Sequence, residues 1–179
     1  MSTGRLLVRP TRAEEEAVLP GDDLVDADVV MDRAFTLSAA PERVWPWLVQ
    51  LGKDRAGWYL PRAVERALPR SRRALRRLDP ALQGLGVGDV IPDWGGADAT
   101  FTVVSLEPAS HLLFGSTRGR MQLTWCLRLQ PVGTDRTRLH LRLRLGPVRH
   151  RRLAAVVGGF VDLLTVAGLA AGLEERLTR

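Results

Sequence analysis

At 179 residues the chain has the usual size of one domain, long enough to bury roughly 70% of its unfolded surface. Its one cysteine, Cys126, excludes an internal disulfide, makes dithiol redox chemistry improbable and leaves few side chains for a metal site. The net charge of +6 and an isoelectric point near 11.0 attract polyanions. The positive charge is nearly all arginine, however, with Lys53 the sole lysine, a bias that genome composition produces as readily as a partner does. Charge of this kind supports solubility and non-specific attraction, not a specific nucleic-acid function.

The opening MSTGRLLVRPTRAEEE has no uninterrupted apolar segment of the secretory type, so the expected location is the cytoplasm. Residues 1–27 mix charge with Pro10, Pro20 and the acidic GDDLVDAD, which predicts an irregular lead-in ahead of a single domain over residues 28–179. VVMDRAFTL is rich in strand formers. SAAPERVWPWLVQLG then reads as a helix, capped by Ser38 or a neighbour, with Pro41 in its first turn and Gly52 ending it. Pro46 is expected to bend or split that helix.

Between Tyr59 and Leu82 helical character is interrupted by Pro61, Pro69 and Pro80. Arg62, Arg66, Arg70, Arg72, Arg73, Arg76 and Arg77 make this the densest basic patch. Because no aromatic side chain interleaves to stack on a base, the patch reads as a solvated face, with an acidic partner or membrane surface as the alternative. Five segments follow that alternate or run apolar between turns rich in Gly, Pro and Asp: VGDVIPDW, DATFTVVSLEP, SHLLFGSTRG, MQLTWCLRLQP and RTRLHLRLRLG. They predict an antiparallel meander. HRRLAAVVGGFVDLLTVAGLAAGLEERLTR, free of proline, predicts one closing helix.

Successive side chains of a strand point to opposite faces. Leu139, Leu141, Leu143 and Leu145 therefore share one face, and Arg138, His140, Arg142 and Arg144 the other. Met121, Leu123, Trp125, Leu127 and Leu129 alternate in the same way with Gln122, Thr124, Cys126, Arg128 and Gln130. A one-residue slip would bury several guanidinium groups at several kcal/mol each (~5–15 kcal/mol being the whole stability of a domain), so the leucine face is inside. The arginine row is expected to face water, and Cys126 to be at least partly exposed.

The sheet needs a cover, and the last helix supplies it, with Leu153, Val156, Val157, Phe160, Leu164 and Ala167 at helical spacing. Gly168, Ala171 and Gly172 allow close approach. Leu153–Leu173 also has the length of a membrane span behind RHRR. Its glycines, alanines and Asp162 favour packing on the sheet over insertion.

The order strand, helices, curved antiparallel sheet and long last helix matches the helix-grip fold, an α+β class. LPGDDLV, APERVWPWLVQLGKDRAGWY, LQGLGVGDVIPDW, FTVVSLEPASHLL and VDLLTVAGLAAGLEERL together resemble the SRPBCC superfamily (START-like, related to polyketide cyclases and dehydrases), in its uncharacterised bacterial branch. The resemblance runs from about Leu19 onward and implies a curved sheet wrapped around the last helix, with an apolar cavity between them for a small hydrophobic or lipid-like molecule. It implies no single chemistry, since members include lipid carriers, hormone receptors and cyclases. WYLPRAVER stands where relatives often carry an aromatic and acidic run, so a role of that acid does not transfer.

His111, His140 and His150 are dispersed and show no metal-ligand spacing, no GxSxG elbow is present, and GLGVGD lacks both the dinucleotide and the P-loop pattern. No metal and no cofactor is implied. Asp93, Asp98, Glu107 and Asp162 are the carboxylates open to acid–base work; Asp93, beside Trp94 in IPDWGG, and Asp162, on the last helix, are the catalytic candidates. Trp45 and Trp47 read as structural. The expected pocket is bounded by Met121, Leu123, Trp125, Leu141 and Leu143 on the sheet and by Phe160 and Leu164 on the helix, with Trp58, Tyr59 and Trp94 at its entrance. Binding of a small hydrophobic molecule is the first reading, a cyclase/dehydrase-type enzyme using the same cavity the second, and an interaction module using residues 62–77 the third.

Overall fold

The computed structural model describes residues 8–96 and 98–178; the first seven residues of the lead-in, Ala97 and Arg179 lie outside the described residues. A short helix α1 (Arg12–Glu16) precedes β1 (Val29–Leu37), α2 (Pro41–Gln50) and α3 (Arg62–Ala67). The strands β2 (Val90–Pro92), β3 (Thr100–Glu107), β4 (His111–Arg118), β5 (Met121–Val132) and β6 (Arg136–Gly146) follow. The chain closes with a helical turn α4 (Arg151–Leu153), a π-helical stretch (Ala154–Gly158) and α5 (Gly159–Leu177).

All ladders are antiparallel and the strand order is β1-β6-β5-β4-β3-β2. Pairing of β1 with β6 sets Phe35 opposite Leu139 on the inner face and Asp32 opposite Arg142 on the outer, while Arg33, opposite Leu141, brings one charge to the inner face. The inner face buries Phe35, Leu37, Leu127, Leu129, Leu139 and Leu141 against Val44 and Leu48 of α2 and Leu169 and Leu173 of α5. Each such side chain, fully buried, contributes about 1.5–3 kcal/mol. α2 runs through Pro46 as one helix, so of the expected bend or split the split does not occur, and the Pro46 carbonyl accepts from Gln83 Nε2 at 3.2 Å. No side chain caps α2: its N-cap is Ala40, and the Ser38 backbone N–H donates instead to Glu174 on α5, at 3.0 Å.

The arginine face is covered, not open to water. Residues 8–28 lie across it, and the guanidiniums hold them there. Arg138 donates to both carboxylate oxygens of Glu14, at 2.7 and 2.9 Å, and to the Arg9 carbonyl. Arg142, 4% exposed, donates through Nε to Asp32, through Nη1 to Ala17 O and Asp22, and through Nη2 to Glu14 O and Glu15 O. These contacts occupy all the N–H groups that a guanidinium has. Burial of a charge is tolerated where every donor finds an acceptor, and the acidic GDDLVDAD run supplies part of that set. Cys126 is likewise buried, beside Leu19 and Leu113, where the alternation alone suggested exposure.

The last helix also departs from expectation. Its buried stripe is Val166, Leu169, Ala170, Leu173 and Leu177, whereas Leu153, Val156, Val157, Phe160 and Leu164 are each more than half exposed. A helix that is apolar nearly all round presents no unique face to sequence spacing. The observed face is held in part by Arg33, which points inward from β1, donates to Gly159 O at 2.7 Å and lies 2.9 Å from Asp162 Oδ2. Gly172 meets the Tyr59–Leu60 backbone so closely that an added Cβ would sit 2.6 Å from Leu60 N.

A buried ion pair ties α3 to α5: Arg176 Nη2 lies 2.6 Å from Glu65 Oε1, and Arg76 reaches the other Glu65 oxygen at 2.7 Å. Burial alone would raise the Glu65 carboxyl; the two guanidiniums outweigh it and hold it below its ordinary range. Arg176 also lies over the Tyr59 ring, 4.5 Å from its centroid. Within the basic segment, Arg76 is therefore engaged and Arg73, though exposed, donates to the Leu68 and Arg66 carbonyls at 2.9 and 3.0 Å, while Arg62, Arg66, Arg70, Arg72 and Arg77 stand exposed.

Candidate ligand-binding cavity

At one end of the inner face the leucines give way to rings. Phe114 and Trp125 are directly opposed on β4 and β5 and stack at 5.7 Å with an interplanar angle of 23°. Phe101 of β3 lies 5.8 Å from Phe114 and 5.9 Å from Trp125. Trp58 comes from the other side, out of a tight loop closed by a Gly52–Gly57 bridge. Both glycines have positive φ, 143° and 83°, which side chains rarely adopt. Trp58 stacks on Trp125 at 6.0 Å, and its indole N–H donates to Thr165 O of α5 at 3.1 Å. The ring thus spans from sheet to helix. Trp94, about half exposed, sets its edge against Trp58 at 6.0 Å.

These rings, with Ile91, Leu143 and Val166, enclose a cavity of about 170 Å³. Among the described residues, Asp93, Asp162 and Thr165 bring carboxylate and hydroxyl side chains to its lining, beside the indoles. Asp93 is already engaged: Oδ1 accepts from the Trp94 N–H at 2.7 Å, Oδ2 pairs with Arg118, and its carbonyl accepts from Lys53 Nζ at 3.2 Å. Arg118 in turn lies over Phe101 at 5.5 Å. Asp162 is also paired, its Oδ2 2.9 Å from Arg33 Nε, but here burial dominates. Burial raises its carboxyl above the ordinary value, Arg33 opposes that rise, and the nearby Asp32 adds to it.

Of the residues expected at the pocket, the fold brings together Trp58, Trp94, Trp125, Leu143, Asp93 and Asp162. Tyr59 is not at an entrance: it is fully buried and its hydroxyl donates to Trp47 O at 2.9 Å. Leu141 belongs to the closed core, Leu123 is buried beside Leu145, and Met121 lies at the start of β5; none lines the cavity. Phe160 and Leu164 face outward. Sequence reasoning missed Phe101, Phe114 and Ile91, whose strands were recognised but whose cross-strand partners were not; opposing β4 to β5 would have set Phe114 against Trp125. The histidines are scattered: His111 Nε2 lies 2.6 Å from Ser105 Oγ, His140 Nε2 lies 2.6 Å from Asp32, and His150 is exposed.

Solved structures share this architecture. A protein from Nitrosospira multiformis matches 84% of this chain and 100% of its own at 16% identity and a TM-score of 0.55. MLL2253 from Mesorhizobium loti covers 84% of this chain and 96% of its own at 21% identity and 0.50. CalU16 from Micromonospora echinospora covers 83% and 91% at 15% identity and 0.50. The fold is the helix-grip. At these identities the likeness is one of fold. No family model and no curated protein matches the sequence.

Proposed function

We propose that this chain is a ligand-binding member of the SRPBCC superfamily and that it holds a compact, mostly apolar ring molecule in the aromatic cavity. The observation that carries the reading is the wall of Trp58, Phe101, Phe114 and Trp125 around a space lined by two carboxylates and one hydroxyl. Small-molecule sites combine an apolar surround with a few fixed polar groups in this way. A space of about 170 Å³ compares with the ~150 Å³ that accepts benzene and falls below the ~300–1,000 Å³ of drug-sized sites. Size therefore favours one or two rings over an extended lipid chain. A hydroxyl or amine on the guest would point toward Asp162.

The test is a titration of intrinsic tryptophan fluorescence with indole, naphthol and a medium-chain fatty acid, together with native mass spectrometry of protein purified without detergent. Saturable quenching by the ring compounds, abolished in Val166→Phe at unchanged melting temperature, is the expected result. Absence of any saturable response, with a clean apo mass, would defeat the reading.

A second reading, a cyclase/dehydrase-type enzyme, draws support from Asp162, whose raised carboxyl suits proton transfer in an apolar space. Under that reading Asp162→Asn abolishes turnover while purely apolar ring guests still bind.

A further inference from the structure

Leu153, Val156, Val157, Phe160, Val161 and Leu164 follow the i, i+3, i+4, i+7, i+8, i+11 spacing of one helix face. Each is 53–71% exposed. The opposite side of the same helix is the one that packs: Gly158 lies against Met31 and Gly159 and Asp162 are held by Arg33. A stripe roughly 16 Å long, at 1.5 Å per residue, is thus left without cover among the described residues. Monomeric proteins seldom expose contiguous apolar surface on this scale without a use for it.

The charges around the stripe distinguish between partners. Arg149 and Arg152 stand exposed at its start, and Arg151, also exposed, pairs with Asp28 at 2.6 Å. From Arg149 to Thr165 the one acidic residue is Asp162, and it is turned inward to Arg33. The face is therefore apolar with a cationic end and no outward carboxylate, within a chain of net charge +6. A second copy docking through this same face would bring no acid to Arg149 and Arg152. A surface of anionic lipid headgroups would supply both the counter-charge and the apolar interior that an interfacial helix requires.

We propose that residues 149–164 form a peripheral docking face for an anionic lipid surface. The helix adsorbs and does not span, because its second half, from Val166 to Leu177, stays buried in the protein. The face adjoins the cavity: Asp162, Thr165 and Val166 line the cavity, and Val161 and Leu164 lie between and beside them on the outer side. A guest dissolved in the lipid would meet the cavity wall at the point of docking, although docking itself does not depend on the cavity holding anything.

Sedimentation with vesicles of phosphatidylcholine alone, and of phosphatidylcholine mixed with phosphatidylglycerol, tests this with the native chain. Pelleting with the mixed vesicles only, weakened by salt, is expected. Phe160→Asp and Val157→Asp should each reduce it by about tenfold or more by placing a charge in the interface, and Arg149→Gln and Arg152→Gln by about fivefold each. Both apolar positions are exposed, so thermal melting of the variants should match the parent and confirms that loss of binding is not loss of fold. Failure to bind anionic vesicles, equal binding to both vesicle types, or undiminished binding by Phe160→Asp and Val157→Asp would overturn the proposal. So would a native dimer in sedimentation velocity that Phe160→Asp dissociates without any lipid binding.

Discussion

Arg142 and Asp32 face each other across the β1–β6 ladder, with Nε donating to Oδ1 at 2.8 Å, on the side of the sheet that the lead-in covers. The pair is the hub of that cover, since the same guanidinium also reaches Asp22 and the carbonyls of Glu14, Glu15 and Ala17.

Arg142→Ala should cost about 3–5 kcal/mol in denaturant unfolding, because it strands partly buried carboxylates and carbonyls. Arg142→Lys should rescue little, as an ammonium cannot reproduce the planar fork of donors. The double variant Arg142→Leu, Asp32→Leu should cost less than the two single changes added together. Strict additivity would show that the pair is not coupled.

The lead-in should loosen in acid. The hydrogen bonds from Arg138 lower the Glu14 carboxyl to about 2 from an ordinary 4.5. A depressed carboxylate contributes stability that is complete above the unfolded value and is lost as pH falls through the folded one. Hydrogen-exchange protection of residues 8–28 should therefore decline between about pH 4.5 and about pH 2. Glu14→Gln should show weaker protection at neutral pH and a smaller acid-dependent fall; identical profiles would remove Glu14 as the cause.

Cys126 should be unreactive in the folded protein. Burial, with a lesser contribution from Asp22, pushes its thiol up to about 12, and the thiolate is the nucleophile. Labelling with a disulfide reagent at mildly alkaline pH should proceed only on unfolding. Fast stoichiometric labelling under native conditions would contradict the buried position beside Leu19 and Leu113.

Gly172→Ala should destabilise by about 1–3 kcal/mol, the usual range for overpacking, because the added methyl meets the Tyr59–Leu60 backbone. Ala171→Gly, one position away on a half-buried site, should cost about 1 kcal/mol through helix propensity alone. Equal melting temperatures for Gly172→Ala and the parent would show that the helix and the loop separate freely.

The sequence by itself determined the sheet and its inner face. The two-residue alternation through Met121–Leu129 and Leu139–Leu145 left one register in which leucines, and not guanidiniums, fill the core, and it placed Trp125 on the inner side. It also determined the chain order that makes the fold α+β, and it pointed to Trp58, Trp94 and Trp125 and to Asp93 and Asp162 as residues of a cavity. Only the tertiary structure decided what lies on the far side of the sheet. Alternation says which face a charge occupies but not whether another segment arrives to cover it, and Glu14, Asp22 and Asp32 convert an apparently wet arginine row into a fastening. The orientation of the last helix was equally hidden: its sequence is apolar on nearly every side, so the choice of face fell to polar contacts from distant parts of the chain, Arg33 on Gly159 and Asp162, Trp58 on Thr165 and Glu65 on Arg176.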